Sequence, residues 1–114
     1  MKDKLLIVTK IKKTIDYLEC ITNNFPKVEY ELKNSIIKTI YQLLELAYKA
    51  NVFKETKYMK ELIVKIRMLD YFIKVSLDKK IINYKKYEIM GKHLLELKKM
   101  TISWINYENS RQSI

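Results

Sequence analysis

Hydrophobic residues recur every three to four positions through four stretches of the chain, which is the period of one face of an α-helix. The first stretch runs from about Asp3 to Asn23 and the second from about Val28 to Asn51. The third runs from about Thr56 to Leu77 and the fourth from about Tyr84 to Asn106. Short connections force consecutive helices to run in opposite directions. The pattern therefore predicts an all-α protein, folded as an antiparallel up-and-down four-helix bundle.

Each predicted helix has one apolar stripe that would face the core of the bundle. In chain order, the four stripes are Val8, Ile11, Ile15, Leu18 and Thr22; Leu32, Ile36, Thr39, Leu43, Leu46 and Ala50; Met59, Leu62, Ile66, Leu69 and Ile73; and Tyr87, Met90, Leu94, Leu97, Thr101 and Trp104. Pro26 disfavours helical backbone angles at Phe25, and Asn83 is a good N-cap for the fourth helix. Residues 1–106 are therefore expected to form the four-helix bundle domain, and the polar residues 107–114 a frayed C-terminal tail.

The second and third helices carry more apolar surface than one bundle core requires. A helix that is apolar almost all round must be covered on two sides in water. The covering expected here is another copy of the protein. The sequence therefore predicts a homo-oligomer, whose interface would be formed by Ile37, Ile40, Leu44, Val64, Met68, Tyr71 and Val75.

The chain is strongly basic, with 23 Lys and Arg against 13 Asp and Glu and a formal net charge of +10. A small protein with this excess of cations should attract polyanions. Tyrosines lie among the lysines, and a Tyr ring can stack on an unpaired base. Codon bias in an AT-rich genome also enriches Lys, Ile, Asn and Tyr. That bias raises Glu as well, so it does not by itself explain the surplus of positive charge.

The sequence contains few candidate catalytic residues. Cys20 and His93 are the only cysteine and the only histidine, so neither residue type has a second copy to complete a metal or nucleophile site. The spacing of Glu88, His93 and Glu96 does not match the Glu-x-x-His motif of di-iron bundles. We therefore expect no enzymatic activity, no bound metal and no cofactor.

The remaining special residues are expected to have structural roles. Gly91, the one glycine, lies inside the fourth helix, so the chain has no Gly-rich phosphate loop. It is predicted to allow close helix packing. Cys20 lies next to core positions and is predicted to be a small buried hydrophobe, whereas His93 is placed at the surface or its boundary.

The apolar segments and the single cysteine favour a cytoplasmic protein. No apolar run approaches the roughly 20 residues of a membrane-spanning helix. The segment from Leu5 to Val8 loosely resembles a signal peptide, but Thr9 and Lys10 interrupt its apolar region too early. One cysteine cannot form an intramolecular disulfide, which is typical of a reducing compartment.

Three motifs, taken in order and spacing, resemble a known family. They are Asn24-Phe25-Pro26-Lys27 between the first two helices, the segment from Met68 to Lys74, and the segment from Glu96 to Ile105, which ends in Trp104-Ile105. Together they resemble the accessory variability determinant (Avd-like) proteins of diversity-generating retroelements. These belong with the four-helix-bundle proteins of 23S ribosomal RNA intervening sequences. The likeness covers about residues 9–105.

The chain departs from the family pattern at several positions. Asp70 stands where the third helix of the family typically has arginine, although Lys74 keeps a positive charge one turn later. Lys99 also replaces an arginine and lacks its bidentate fork. The glycines of the last family motif are replaced by Lys98, Ile102 and Ser103.

The resemblance implies a small, basic, non-enzymatic protein that assembles as a ring-like homopentamer. Retroelement members of the family bind the reverse transcriptase and nucleic acid, RNA or DNA, and support templated cDNA synthesis. On this hypothesis Arg67, Lys74, Lys98 and Lys99 form the surface for the polyanion or the polymerase. Two alternatives stay open: an interaction module that binds another protein without nucleic-acid function, and a scaffold dimer of an enzyme complex.

Overall fold

All four predicted helices form, and they pack as an antiparallel four-helix bundle without any strand over the described residues. The computed structural model describes the backbone of residues 3–112 and the side chains of residues 6–112. Its helices are α1 (Asp3–Thr22), α2 (Tyr30–Phe53), α3 (Thr56–Asp78) and α4 (Tyr84–Gln112). The bundle measures 52 × 21 × 19 Å. None of these helices is long and apolar enough to cross a membrane.

The helices surround one core in chain order. Each helix packs against the next along the chain, and α1 closes the ring by packing against α4. α2 therefore lies diagonally opposite α4. The predicted stripes supply most of the core: Ile11, Leu43, Leu69 and Leu97, one from each helix, are at most 1% exposed. At the start of α1 the buried residue is Ile7, and Val8 only packs against the core from its edge.

The three connections between helices are short and locally ordered. Pro26 precedes a 3-10 turn, Lys27–Glu29, that leads into α2. α2 runs two residues past the predicted end and stops where Lys54 adopts the left-handed conformation with φ 55°. Such a residue satisfies a helix's last carbonyls, and the Lys54 amide donates to the carbonyl of Ala50. At the start of α4, Oδ1 of Asn83 accepts from the Lys86 amide at 2.8 Å, which confirms the predicted N-cap.

The prediction of a frayed tail is wrong for residues 107–112, because α4 continues as a helix through Gln112. Glu108 is buried, and its Oε2 accepts from Nη2 and Nε of Arg111 at 2.7 and 3.0 Å. Nε2 of Gln112 donates to the carbonyl of Lys54 at 3.3 Å. The Glu108–Arg111 pair lies within α4, and the Gln112 contact ties the last turn of α4 to the end of α2. Ser113 and Ile114, the remainder of the predicted tail, lie outside the described residues, as do residues 1–2 of the predicted domain.

We expect Arg111→Met to lower the free energy of unfolding by about 1–3 kcal/mol, because it strips the charged partner from a buried carboxylate. Replacing both partners, Glu108→Leu with Arg111→Met, should restore most of the loss, since no buried charge remains. Urea denaturation of the three proteins measures both effects. A double variant less stable than Arg111→Met would contradict the explanation that the loss comes from an unpaired buried charge.

Two predictions about single residues are wrong. Cys20 lies on the outer side of α1 and is exposed. Gly91 faces open space, because a Cβ built on it would meet no atom within 4 Å. The periodicity placed Cys20 beside core positions, but α2 and α4 cover α1 only on its other side. Gly91 therefore does not serve close packing between the helices of this chain.

Candidate nucleic-acid interface

The outward face of α4 carries three lysines at a spacing of seven residues. Lys85, Lys92 and Lys99 are all exposed, and none forms an ion pair with any side chain in the described part of the chain. Seven residues are close to two helical turns, so the three lysines lie about 10 Å apart along one line. We call them the α4 lysine stripe. Cations held in a row on a rigid helix suit the phosphates of a nucleic-acid strand.

Beside this stripe, a groove of about 430 Å³ runs between α3 and α4. Its polar lining consists of Arg67 and Asp70 from α3 and Lys98 from α4, and Gly91 leaves its α4 side open. Burial raises the pKa of the Asp70 carboxyl, whereas the charges of Lys98 and Arg67 act in the opposite direction. The apolar lining is Ile66, Leu94 and Leu95. We call this the α3–α4 groove.

The predicted polyanion-binding residues are divided among three places. The groove brings Arg67 and Lys98 together, although they belong to different helices. Lys99 lies on the α4 lysine stripe. Lys74 stands apart: its Nζ lies 3.2 Å from Oδ1 of Asp78 and 5.9 Å from the ring centroid of Tyr87. Its charge is therefore partly balanced within the chain.

Along the edge of α4 that packs on α1, Lys10 forms an ion pair that joins the two helices. Nζ of Lys10 lies 2.7 Å from Oε2 of Glu96, and this contact lowers the pKa of the Glu96 carboxyl. The ring centroids of His93 and Tyr17 lie 5.4 Å apart. Burial lowers the pKa of His93, and the charge of Lys10 lowers it further. The charge of Glu96 acts in the opposite direction. Lys92 of the α4 lysine stripe also lines this edge, and the charge of Lys99 adds a smaller lowering to the pKa of Glu96.

The predicted oligomer interface is only partly at the surface. Val64, Met68 and Tyr71 on α3 are 59%, 41% and 61% exposed. Three others are half-buried at the edge of the bundle: Ile37, Leu44 and Val75. Ile40 is 0% exposed in the core, so its assignment to an interface is wrong. The α2 part of the predicted interface is therefore divided: Ile40 belongs to the core, whereas Ile37 and Leu44 pack against the edge of the core.

An exposed aromatic surface on α2 was not predicted from the hydrophobic period. Tyr41, Tyr48 and Val52 continue the line of Leu44 along the outside of the helix and border a groove of about 410 Å³. The hydroxyl of Tyr41 donates to Oε1 of Glu19 at 2.7 Å, which raises the pKa of Tyr41. The spacing of these residues is helical, but the polar hydroxyl makes tyrosine a weak signal of an apolar stripe. The α4 lysine stripe was also present in the sequence as a seven-residue repeat of lysine.

Among the residues that the structure describes, no three His, Cys, Asp or Glu side chains are grouped closely enough to hold a metal ion. The expectation that the protein is not an enzyme stays a prediction. The surfaces that stand out are therefore a basic one on α4 and apolar ones on α2 and α3. No protein-family model matches the chain, and no curated protein is significantly similar to it in sequence.

Proposed function

We propose that the protein is a non-catalytic accessory protein that binds RNA or DNA through the outward face of α4. The observation that carries this proposal is the α4 lysine stripe, together with Arg67 and Lys98 next to it. None of these five cations has an ion-pair partner in residues 6–112. Cations without such a partner can replace counterions condensed on a phosphate backbone, and that release supplies most of the affinity of such complexes. Arg67 and Lys98 share their groove with the carboxyl of Asp70.

The partner enzyme in this proposal is a reverse transcriptase. The support is the resemblance of three segments to the Avd-like proteins of diversity-generating retroelements. A basic helical protein that holds both the template and the polymerase would keep them together during cDNA synthesis. Co-purification of this protein with a co-expressed reverse transcriptase of a diversity-generating retroelement, after nuclease treatment, tests the contact. Loss of the enzyme on nuclease treatment would mean that nucleic acid alone connects them.

Self-assembly is part of the same proposal. Val64, Met68 and Tyr71 leave an apolar line exposed on α3, and Tyr41 and Tyr48 leave another on α2. Apolar surface of this kind on a small basic protein is typical of protein interfaces. Several copies around a ring, five in the homopentamer that the resemblance implies, would present several α4 lysine stripes to one strand. Linked sites of this kind bind more tightly than one site alone.

Binding to nucleic acid is tested by its dependence on salt. If about five phosphates are neutralised, the logarithm of the association constant should fall with the logarithm of salt concentration. The expected slope lies between about −3.5 for a single strand and −4.5 for duplex DNA. Fluorescence anisotropy with a labelled oligonucleotide at several salt concentrations gives the slope. A flat profile, or no binding, would reject the proposal.

We expect Val64→Glu with Met68→Glu to convert an oligomer into smaller species. Two carboxylates on the exposed line of α3 would have to lose water in the interface, which costs several kcal/mol per buried ion. Light scattering at micromolar concentration measures the mass. Thr9→Glu, at an exposed polar position on α1, is the control and should leave the mass unchanged. A wild-type protein that is monomeric in this measurement would contradict the expectation.

The alternative is a module that binds another protein and has no nucleic-acid function. The groove along α2 favours it, because most of its lining is apolar or aromatic. Its two charged residues, Glu45 and Lys49, pair with each other at 3.3 Å. Intact assembly combined with no affinity for RNA or DNA would support this function. It would then be the α2 surface, and not α4, at which substitutions remove activity.

A further inference from the structure

The α3–α4 groove combines chemical groups that a phosphate site alone would not need. Arg67 and Lys98 are suited to phosphate oxygens, but the carboxylate of Asp70 lies between the same two helices and lines the same groove. A carboxylate repels phosphate and accepts hydrogen bonds only. Burial raises the pKa of the Asp70 carboxyl, and the charges of Lys98 and Arg67 oppose that shift. The groove therefore calls for a ligand that carries hydrogen-bond donors as well as negative charge.

The apolar part of the groove suits a flat group. Leu94 is buried and forms part of the floor, whereas Leu95 is 51% exposed at the rim. Gly91 carries no side chain, and apart from its two chain neighbours and the backbone of its own helix nothing lies within 4 Å of where its Cβ would be. The backbone of α4 can thus be approached closely at this point. A volume of about 430 Å³ falls in the range of small-ligand sites.

Nucleobases differ in the donors that they offer to a carboxylate. Only guanine has two adjacent donors on its Watson–Crick edge, N1–H and the N2 amino group, which match the two oxygens of one carboxylate. Adenine and cytosine each place an acceptor next to their amino group, and uracil flanks its one N–H with two carbonyls. These edges are free only in unpaired nucleotides, which is where proteins read RNA sequence.

We propose that the α3–α4 groove is a subsite for one unpaired guanine nucleotide of the bound strand. The Asp70 carboxylate accepts from N1–H and N2–H of the base. Lys98 and Arg67 contact the flanking phosphates, and the base lies over Gly91 against Leu94 and Leu95. This inference rests on the proposed nucleic-acid function and adds a sequence preference to it.

The test compares short single-stranded RNAs that differ in one base. Labelled oligouridine with a central guanosine is measured against the same strand with a central adenosine, cytidine, inosine or uridine. We expect the guanosine strand to bind about tenfold more tightly, the order expected for one bidentate contact to a base. Inosine lacks the N2 amino group and should fall between guanosine and uridine.

Asp70→Asn separates the base contact from the phosphate contacts. The variant amide keeps one acceptor oxygen but places an NH2 donor where the second carboxylate oxygen was, so it cannot accept from both N1–H and N2–H of guanine and the preference for guanosine should disappear. Affinity for plain oligouridine should stay or rise slightly, because a negative charge has been removed from a basic surface. Asp16→Asn, which removes a charge from the exposed side of α1, is the matched control and should keep the preference.

Gly91→Leu provides a second variant that acts through shape. A leucine is a better helix former than glycine and meets no atom of the bundle at its Cβ, so the protein should fold at least as stably. The new side chain would occupy the groove, and the preference for guanosine should be lost while the salt dependence is kept. Circular dichroism confirms that each variant is helical.

The outcomes distinguish this inference from the function on which it rests. No binding of any RNA by the wild type would overturn both. Binding with the expected salt dependence but equal affinity for all five strands would overturn the guanine subsite alone. So would a preference that survives Asp70→Asn, or one that disappears equally in Asp16→Asn.

Discussion

Trp104→Ala is expected to lower the free energy of unfolding by about 3–5 kcal/mol, the usual cost of truncating a large buried aromatic residue. Trp104 is 2% exposed and belongs to the core. With Ala50 it lines the small cleft where α4 passes the end of α2. Truncation would leave a cavity in the core beside this cleft. Urea denaturation followed by circular dichroism at 222 nm measures the loss.

The matched control is Tyr107→Ala, three residues further along α4. Tyr107 is 44% exposed, so its truncation removes less buried surface and should cost clearly less than the change at Trp104. Equal losses in the two variants would mean that Trp104 does not make the core contact described. A drop in cooperativity, seen as a lower m-value, would show that only this end of the bundle has come apart.

Reversing the charge of the α4 lysine stripe is expected to weaken nucleic-acid binding by at least about a hundredfold at moderate salt. The salt slope should also become shallower by about one unit for each phosphate that the protein no longer neutralises. The variant is Lys85→Glu, Lys92→Glu and Lys99→Glu in one chain. Because all three side chains are exposed, the bundle should remain folded. Anisotropy titrations across a salt series measure affinity and slope together.

A charge-matched control separates the surface from the total charge. Lys12→Glu, Lys27→Glu and Lys38→Glu change three exposed lysines on the α1–α2 side of the bundle, away from α4. Both triple variants carry the same net charge. The control should weaken binding several-fold at most, through long-range attraction that salt screens. Equal effects of the two variants would show that net charge, and not the stripe, drives binding.

The sequence predicts some helix ends correctly and misses others. Asn83 was identified as an N-cap because its side chain needs only the amide three residues later, which is a local relationship. The end of α2 was placed two residues early, because a left-handed lysine at Lys54 has no sequence signal as strong as glycine. The extension of α4 was missed because Glu108 and Arg111 look solvated in sequence. Their pairing depends on what the rest of the bundle covers.

The hydrophobic period of the chain by itself determined the number of helices, their type and most of their inward faces, since burial of one face per helix is a local pattern. Only the tertiary structure decided how that surface is divided, because burial depends on which helices lie side by side. It placed Ile40 in the core and left Val64 and Met68 exposed. It also brought Arg67 and Asp70 of α3 to Lys98 of α4 across an open groove. Residues so far apart in sequence meet only when two helices pack at one particular register.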